Sequence, residues 1–241
     1  MDDLLTLFKD IKKILDKNNM HYCLIYGALL GMVRNKKLIE ADTDIDLGAW
    51  DIITPIIHNN IEQFHKKNIT VHFSESGHIT LHRNKKHVSI MIFSRSGKNA
   101  ERFTYTHMRK ANKPNLSTIT QLFKYMRWVL MKPRYVGDSP KFVSNHIQKI
   151  MIKISYSLPD TLAHFFKKCV EIILSSGCNY FVERMSAKYL DDLIKIDFYG
   201  SVIDIPKDSE KYLEFKYGTD WKIPKKDYIY YKDSKSEVRI A

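Results

Sequence analysis

The segment "DTDIDLGAW" (residues 42–50) sets the tightest limit on what this chain can fold into. Asp42, Asp44 and Asp46 alternate with Thr43, Ile45 and Leu47. Successive side chains of a strand point to opposite faces, so the spacing predicts a strand with one acidic and one apolar face. The apolar face has to be covered by other elements. On the acidic face, carboxylates at i and i+2 lie about 6.5–7 Å apart along the backbone, where like charges repel unless something positive sits between them. Lysine neighbours can supply that charge. A divalent cation does so more effectively, because Mg²⁺ takes one or two carboxylates and keeps other positions for water and substrate phosphates. For an isolated Asp-x-Asp the alternative is an exposed edge strand whose acids are solvated.

The residues upstream bear on that choice. "HYCLIYG" (21–27) reads as a short buried strand closed by Gly27, and "ALLGMVRN" (28–35) as a short helix opening directly after it. The N–H groups at such a helix start bind phosphate. Arg34, about two turns further on, adds a charged fork for the same anion. Gly27, Gly31 and Arg34 are therefore candidate phosphate-binding residues. Asp42, Asp44 and Asp46 are candidate catalytic carboxylates, with Asp44 and Asp46 as candidate metal ligands. Strand, glycine, helix, then a strand bearing acids is the layout of a nucleotidyltransferase fold.

Elsewhere, Leu4, Phe8, Ile11 and Leu15 recur at helical spacing and predict an amphipathic helix over 4–17. A helix is expected over 52–66, then three β-rich runs, "ITVHFSE", "HITLHRN" and "HVSIMIFS". "SRSGKNAERF" (94–103) reads as a loop, and 118–130 as a helix, with Pro133 and Pro140 bracketing a turn. Helices are expected over 141–155, 160–174 and 208–216, the last within an aromatic-rich, turn-rich stretch. The fold class is α+β: a nucleotidyltransferase-like mixed sheet with flanking helices and a mainly helical, turn-rich C-terminal half. One catalytic domain is expected over 1–241, with a core at 1–95 and a covering part at 96–241.

No uninterrupted apolar run approaches the roughly 20 residues a membrane-spanning helix needs. The N-terminus starts acidic and is broken by lysines, unlike a secretory signal. Cys23, Cys169 and Cys178 are odd in number and widely spaced, which favours free thiols in a reducing compartment. A cytoplasmic location is expected. The net charge of +12 suggests a negatively charged partner, unless the lysines merely solvate the surface. Lys141, Lys149 and Lys153 line one face of the helix at 141–155, which either lies against an anionic membrane or packs on the domain with its lysines in water.

Gly27, Leu29, Leu30, Gly31 and Arg34, followed by Ile39, Asp42, Asp44, Ile45 and Asp46, resemble the "GTLLGxxRxxxxIPWDDDID" signature of the LicD/fukutin phosphotransferases. "IPKDSEKYLEFKYGTDWKIP" (205–224) is similar to that family's C-terminal "P…YLxxxYGxDWxxP" segment. The resemblance implies transfer of a phospho-substituted alcohol, such as phosphocholine, ribitol phosphate or glycerol phosphate, from a CDP-linked donor to a glycan or lipid-linked glycan. It also implies Mg²⁺ or Mn²⁺. Tyr217, Asp220 and Trp221, with Gly218, become a candidate substrate wall, or else core packing around a turn. Two departures stand out: Ala28 replaces the usual hydroxyl residue, and Thr43 the middle acid. A third concerns the strand "HVSIMIF", which lacks the further carboxylate that such enzymes commonly carry. Ser89 or Met91 occupies the candidate position, one expected at the site and the other in the core. Asp42, Glu75 or His87 is then the substitute.

Other readings stay open. The chain is alternatively a nucleotidyltransferase using an NTP, a catalytically degenerate family member, or a basic nucleic-acid-binding module. No recognised nucleic-acid motif is present, and no nucleic-acid partner is expected. His78, His82 and His87 lie on adjacent β-rich runs, either as metal ligands or as exposed strand residues.

Overall fold

The computed structural model describes residues 2–40, 42–74, 77–105, 122–123, 125–126, 129–130, 145–177, 180–225 and 237–239. Helix α1 (Asp2–Lys17) buries Leu4, Leu7, Phe8, Ile11, Ile14 and Leu15 on one stripe. Asp2 and Asp3 at its start and Lys17 at its end complement the helix dipole. Next come β1 (Cys23–Leu24), α2 (Tyr26–Asn35), β2 (Asp44–Trp50), α3 (Ile53–Asn59) and α4 (Ile61–His65). Strands β3 (Thr70–Ser74), β4 (His78–Arg83), β5 (Lys86–Ser96) and β6 (Asn99–Tyr105) follow. Beyond them lie α5 (Asn145–Ser157), α6 (Asp160–Gly177), β7 (Tyr180–Ser186), α7 (Lys188–Asp191), β8 (Leu193–Phe198), β9 (Ser201–Pro206), α8 (Ser209–Tyr217) and β10 (Glu237–Arg239).

The main sheet is mixed, as expected. Its order runs β1-β2-β5-β6-β7-β10, and β3 joins through β4, which pairs with β5. β2 and β5 are parallel, whereas β1–β2, β3–β4, β4–β5 and β5–β6 are antiparallel. The register separates two faces. Ile45, Val88, Leu81 and Val71 form one row across β2, β5, β4 and β3, and Leu47, Ile90, Ile79 and Phe73 the next. Ile45, Leu47, Leu81, Val88 and Ile90 are fully buried, and α1 packs on this face. Burying a large aliphatic side chain contributes about 1.5–3 kcal/mol, so this two-layer core supports the sheet.

Several boundaries differ from the sequence reading, each for a local reason. The strand expected over 21–27 is only Cys23–Leu24, and α2 begins at Tyr26. Gly27 thus lies in the first turn of α2 rather than between the two elements. The strand expected from Asp42 begins at Asp44, because the chain turns first: the Asp42 N–H donates to the Ile39 carbonyl at 3.0 Å. The helix expected over 52–66 breaks at Asn60, whose φ of −111° interrupts it. Residues 94–103 are not a loop; β5 runs to Ser96 and β6 starts at Asn99, with Gly97 at φ 60° in the turn. The C-terminal half carries a two-stranded sheet, β8–β9, closed by Tyr199 and Gly200 at φ 52° and 75°. Two positive φ values suit a tight two-residue hairpin.

Of the helix expected over 118–130, the described residues are helical. Residues 131–144, including the Pro133–Pro140 turn and the start of the helix expected at 141, lie outside the described residues, as does Glu75. The chain forms two compact units, Met1–Phe103 with Glu183–Val238, and Thr104–Val182 with Arg239–Ala241. Residues 96–241 contribute to both units.

Gly31 shows why α2 carries a glycine at its centre. A Cβ there would lie 2.5 Å from the Lys37 carbonyl oxygen and 3.1 Å from the Ile39 nitrogen. In an ordinary helix interior, alanine for glycine adds about 0.5–1 kcal/mol of stability. Here the obstacle is backbone, so Gly31→Ala is expected to destabilise by about 1–3 kcal/mol, the cost of overpacking. Urea denaturation checks this, and a stability gain would contradict the close approach.

Candidate functional site

The second face of the sheet is polar. Asp44, His87, His82 and Thr70 form one row across β2, β5, β4 and β3. Asp46, Ser89, Thr80 and His72 form the next, and Gly48, Met91, His78 and Ser74 a third. Asp44 and Asp46 project from this face as the alternation predicts. His87 is the register partner of Asp44, and its Nε2 lies 3.4 Å from the Asp44 Oδ2. His78, His82 and His87 also lie on this face, with His82 opposite His87. Ser89 is buried beside Asp46. Ser89 and Met91 are two residues apart on one strand, so both lie on the acidic face. The expectation that one of them points into the core is corrected; Val88 and Ile90 occupy that side.

Asp42 reaches the site by a different route. It precedes β2 in a turn, and its Oδ2 lies 3.0 Å from where a Cβ on Gly27 would sit. Glycine at 27 therefore leaves room for this carboxylate against the first turn of α2. The N-cap, Ile25, provides no side-chain cap, and an anion near the first turn is favoured by the N–H groups there. Gly31 contributes indirectly, since it receives the backbone of 37–39, whose Ile39 carbonyl anchors Asp42.

The three carboxylates crowd one another. Burial, then the charge of Asp44, raises the pKa of Asp42. Burial, then Asp44, pushes Asp46 up to about 8, although Arg102 and Lys216 pull the other way. Among the described residues no group of three or more His, Cys, Asp or Glu side chains is arranged to hold a metal ion.

Behind Asp46 lies a buried network that sequence reasoning missed. Arg102 donates to the Glu183 Oε2 from Nη2 at 2.8 Å and Nε at 3.1 Å. Lys216 donates to the Oε1 at 2.7 Å, and the Tyr26 hydroxyl also donates to Oε2. Lys216 Nζ sits 4.3 Å from the centre of the Tyr26 ring, a cation–π contact. Burial alone would raise Glu183, but Lys216 and Arg102 outweigh it and bring its pKa down to about 2. Burial and the Glu183 charge hold the Tyr26 phenol well above its usual range. Tyr26 starts α2 at φ 50°, a conformation costly for an aromatic residue and tolerated where the surroundings enforce it. Tyr26 and Lys216 sit within the two motif-bearing segments, which was the available signal. Arg102 and Glu183 carried none.

Arg34 occupies the last turn of α2, and its Nε contacts the Asn35 Oδ1 at 3.3 Å. Seven residues beyond Gly27, it is about 10 Å further along the helix axis, so one phosphate group does not span both. Gly218 ends α8 at φ 96°. Tyr217 packs against the core, Trp221 is buried within it, and exposed Asp220 pairs with Lys225 at 2.8 Å. Of these, Trp221 borders a cavity of about 540 Å³ beside the start of α8, also lined by Ser209, Lys211 and Lys222.

Comparison with known proteins assigns the segment. The family described as LicD/FKTN/FKRP, nucleotidyltransferase domain, matches residues 19–136. The segment is a LicD-family domain. An uncharacterized protein of Rickettsia prowazekii is 30% identical over 110 residues, covering 46% of this chain and 39% of that protein. Another, of Rickettsia typhi, is 34% identical over 79 residues, covering 33% of this chain and 23% of that protein. The chain thus spans well under half the length of either relative. A crystal structure of ANT(2")-Ia in complex with adenylyl-2"-tobramycin aligns over 71% of this chain and 98% of that one, at 10% identity and a TM-score of 0.33.

Glu183→Gln tests the buried network. Removing one charge from a buried pair costs about 3–5 kcal/mol, and here two cations lose their carboxylate. Because the folded pKa of Glu183 is depressed, its stabilisation is fully present above the ordinary carboxylate range and is lost as pH falls towards 2. Wild type should show that acid-linked loss in urea titrations, and Glu183→Gln should be less stable near neutrality without it. Equal stability of the two proteins at pH 7 would contradict the assignment.

Proposed function

We propose that this LicD-family chain transfers a phospho-substituted alcohol, of the phosphocholine, ribitol phosphate or glycerol phosphate type, from a CDP-linked donor to a glycan hydroxyl. The observation that carries the reading is the crowding of Asp42, Asp44 and Asp46 beside the first turn of α2, with Asp46 driven up to about 8. Acids arranged in this way are poised for a cation and a polyanionic ligand. Asp44 and Asp46 would hold Mg²⁺ or Mn²⁺, which accepts one or two carboxylates without a full protein cage. When bound, that cation supplies charge neutralisation and polarisation at the donor pyrophosphate.

The chain's own residues do the rest. The first turn of α2 at Gly27 offers N–H groups to a phosphate oxygen. Arg34, at the far end of the helix, engages a different part of the donor. A glycan hydroxyl attacks the phosphorus attached to the alcohol, forming the new O–P bond as the bond to CMP breaks. Its proton passes to Asp42, whose raised pKa makes it a stronger base than an ordinary aspartate. His87, beside Asp44, is the second choice for that role. Lys216 and Arg102, held by Glu183, already lower the pKa of Asp46 and would lend positive potential to charge developing beside it.

A thermal-shift panel of CDP-choline, CDP-ribitol, CDP-glycerol, ATP and CTP, with and without Mg²⁺, tests the donor class. One CDP-alcohol is expected to stabilise the protein only with the metal, and CMP release should follow when acceptor is added. Asp44→Asn should lower that release by about two orders of magnitude or more while leaving the metal-free melting temperature level or higher. Stabilisation by ATP or CTP alone would replace this reading with an NTP-dependent one.

A further inference from the structure

In the second unit, α5 and α6 expose several large apolar side chains among the described residues. On α5, Ile147, Ile150 and Ile154 recur at three- and four-residue spacing along one stripe. On α6, Leu162, Phe165 and Phe166 do the same. These six side chains are 41–59% exposed, whereas the buried residues among those described on the two helices are small: Ser155, Ala163 and Val170. Scattered exposed apolar residues are ordinary, but large ones gathered on adjacent helices mark an interaction surface. Leu158 and Pro159 alone separate the two helices in sequence, so the stripes belong to one continuous segment.

Charge identifies the partner. α5 contains Lys149 and Lys153 and no Asp or Glu, and α6 sets Lys167 and Lys168 beside the stripe, with its two acids at Asp160 and Glu171. Lys153 is exposed and borders the isoleucine stripe by helical position, as exposed Lys168 borders the Leu162–Phe165 stripe on α6. Apolar stripes edged by lysine are the signature of helices lying in a membrane interface. There, lysine stems snorkel so that their charge stays among the headgroups. No helix among the described residues is long and apolar enough to cross a membrane. A symmetric contact between two copies would bring this basic edge towards its own mate, which disfavours a dimer.

We propose that α5 and α6 dock on the surface of an anionic lipid bilayer. Ile147, Ile150, Ile154, Leu162, Phe165 and Phe166 enter the boundary between headgroups and acyl chains, and Lys153 and Lys168 meet lipid phosphates. The proposal is independent of the transfer reaction, and its readout needs no substrate. The full chain is floated with vesicles of pure phosphatidylcholine or of phosphatidylcholine containing about one-third phosphatidylglycerol. Partitioning should be at least about tenfold stronger with the anionic lipid and weaken at high salt. Ile150→Ser with Phe165→Ser should reduce it about tenfold without lowering the melting temperature, since both residues are half exposed. Lys153→Gln with Lys168→Gln should remove the preference for anionic lipid. Absence of flotation, or unchanged partitioning of the Ser variant, overturns the proposal. So does a dimer, seen by light scattering, that the Ser variant dissolves while wild type ignores vesicles.

Discussion

A one-residue slip of β2 against β5 would carry Asp44 and Asp46 into the core and Ile45 and Leu47 into solvent. The parallel pairing of these two strands is the constraint on which core and site both depend. It stacks Ile45 on Val88 and Leu47 on Ile90 beneath α1, and by the same register sets Asp44 beside His87 and Asp46 beside Ser89. Burial of the apolar rows therefore holds the acidic face in place. The carboxylates need not stabilise the fold, and by crowding one another they work against it.

That cost is partly offset from behind. Glu183 holds Arg102 and Lys216 in a buried cluster, and both cations lower the pKa of Asp46 without cancelling the effect of burial and of Asp44. Tyr26 ties this cluster to the first residue of α2, and Gly27, the next residue, receives the Asp42 carboxylate. One end of one helix thus meets both layers of charge: the anionic front, and the cationic support beneath it.

Period-two alternation makes the faces of β2 legible from the residues alone, because burial on one side leaves few other ways to place Ile45 and Leu47. The amphipathic stripe of α1 and the β3–β4–β5 meander are legible for the same reason. The start of β2 is not, since the turn that frees Asp42 depends on how closely Gly31 lets residues 37–39 approach. Arg34 looks like a partner of Gly27 in the sequence because motif spacing compresses a distance that the helix stretches over two turns. The Arg102–Glu183 pair joins residues 81 apart in sequence, and no local pattern announces such a tertiary contact. The β8–β9 hairpin has a signal in its alternating Leu193–Phe198 run and the Tyr199–Gly200 turn, but its aromatic content masks the period.

The claim that Asp42, Asp44 and Asp46 form a site awaiting a cation is most directly tested by following the Asp46 carboxyl carbon by NMR through a pH titration. Asp46→Asn assigns the resonance. Because the folded pKa is raised, Asp46 stays protonated in the folded protein where the unfolded chain would be ionised. Its contribution to stability therefore falls as pH rises from the ordinary aspartate range towards 8. With divalent ions chelated, the midpoint is expected at about 8, and adding Mg²⁺ with a CDP-linked donor should move it well below neutrality. A midpoint in the ordinary aspartate range under chelation, or one that Mg²⁺ and donor leave in place, would contradict the account.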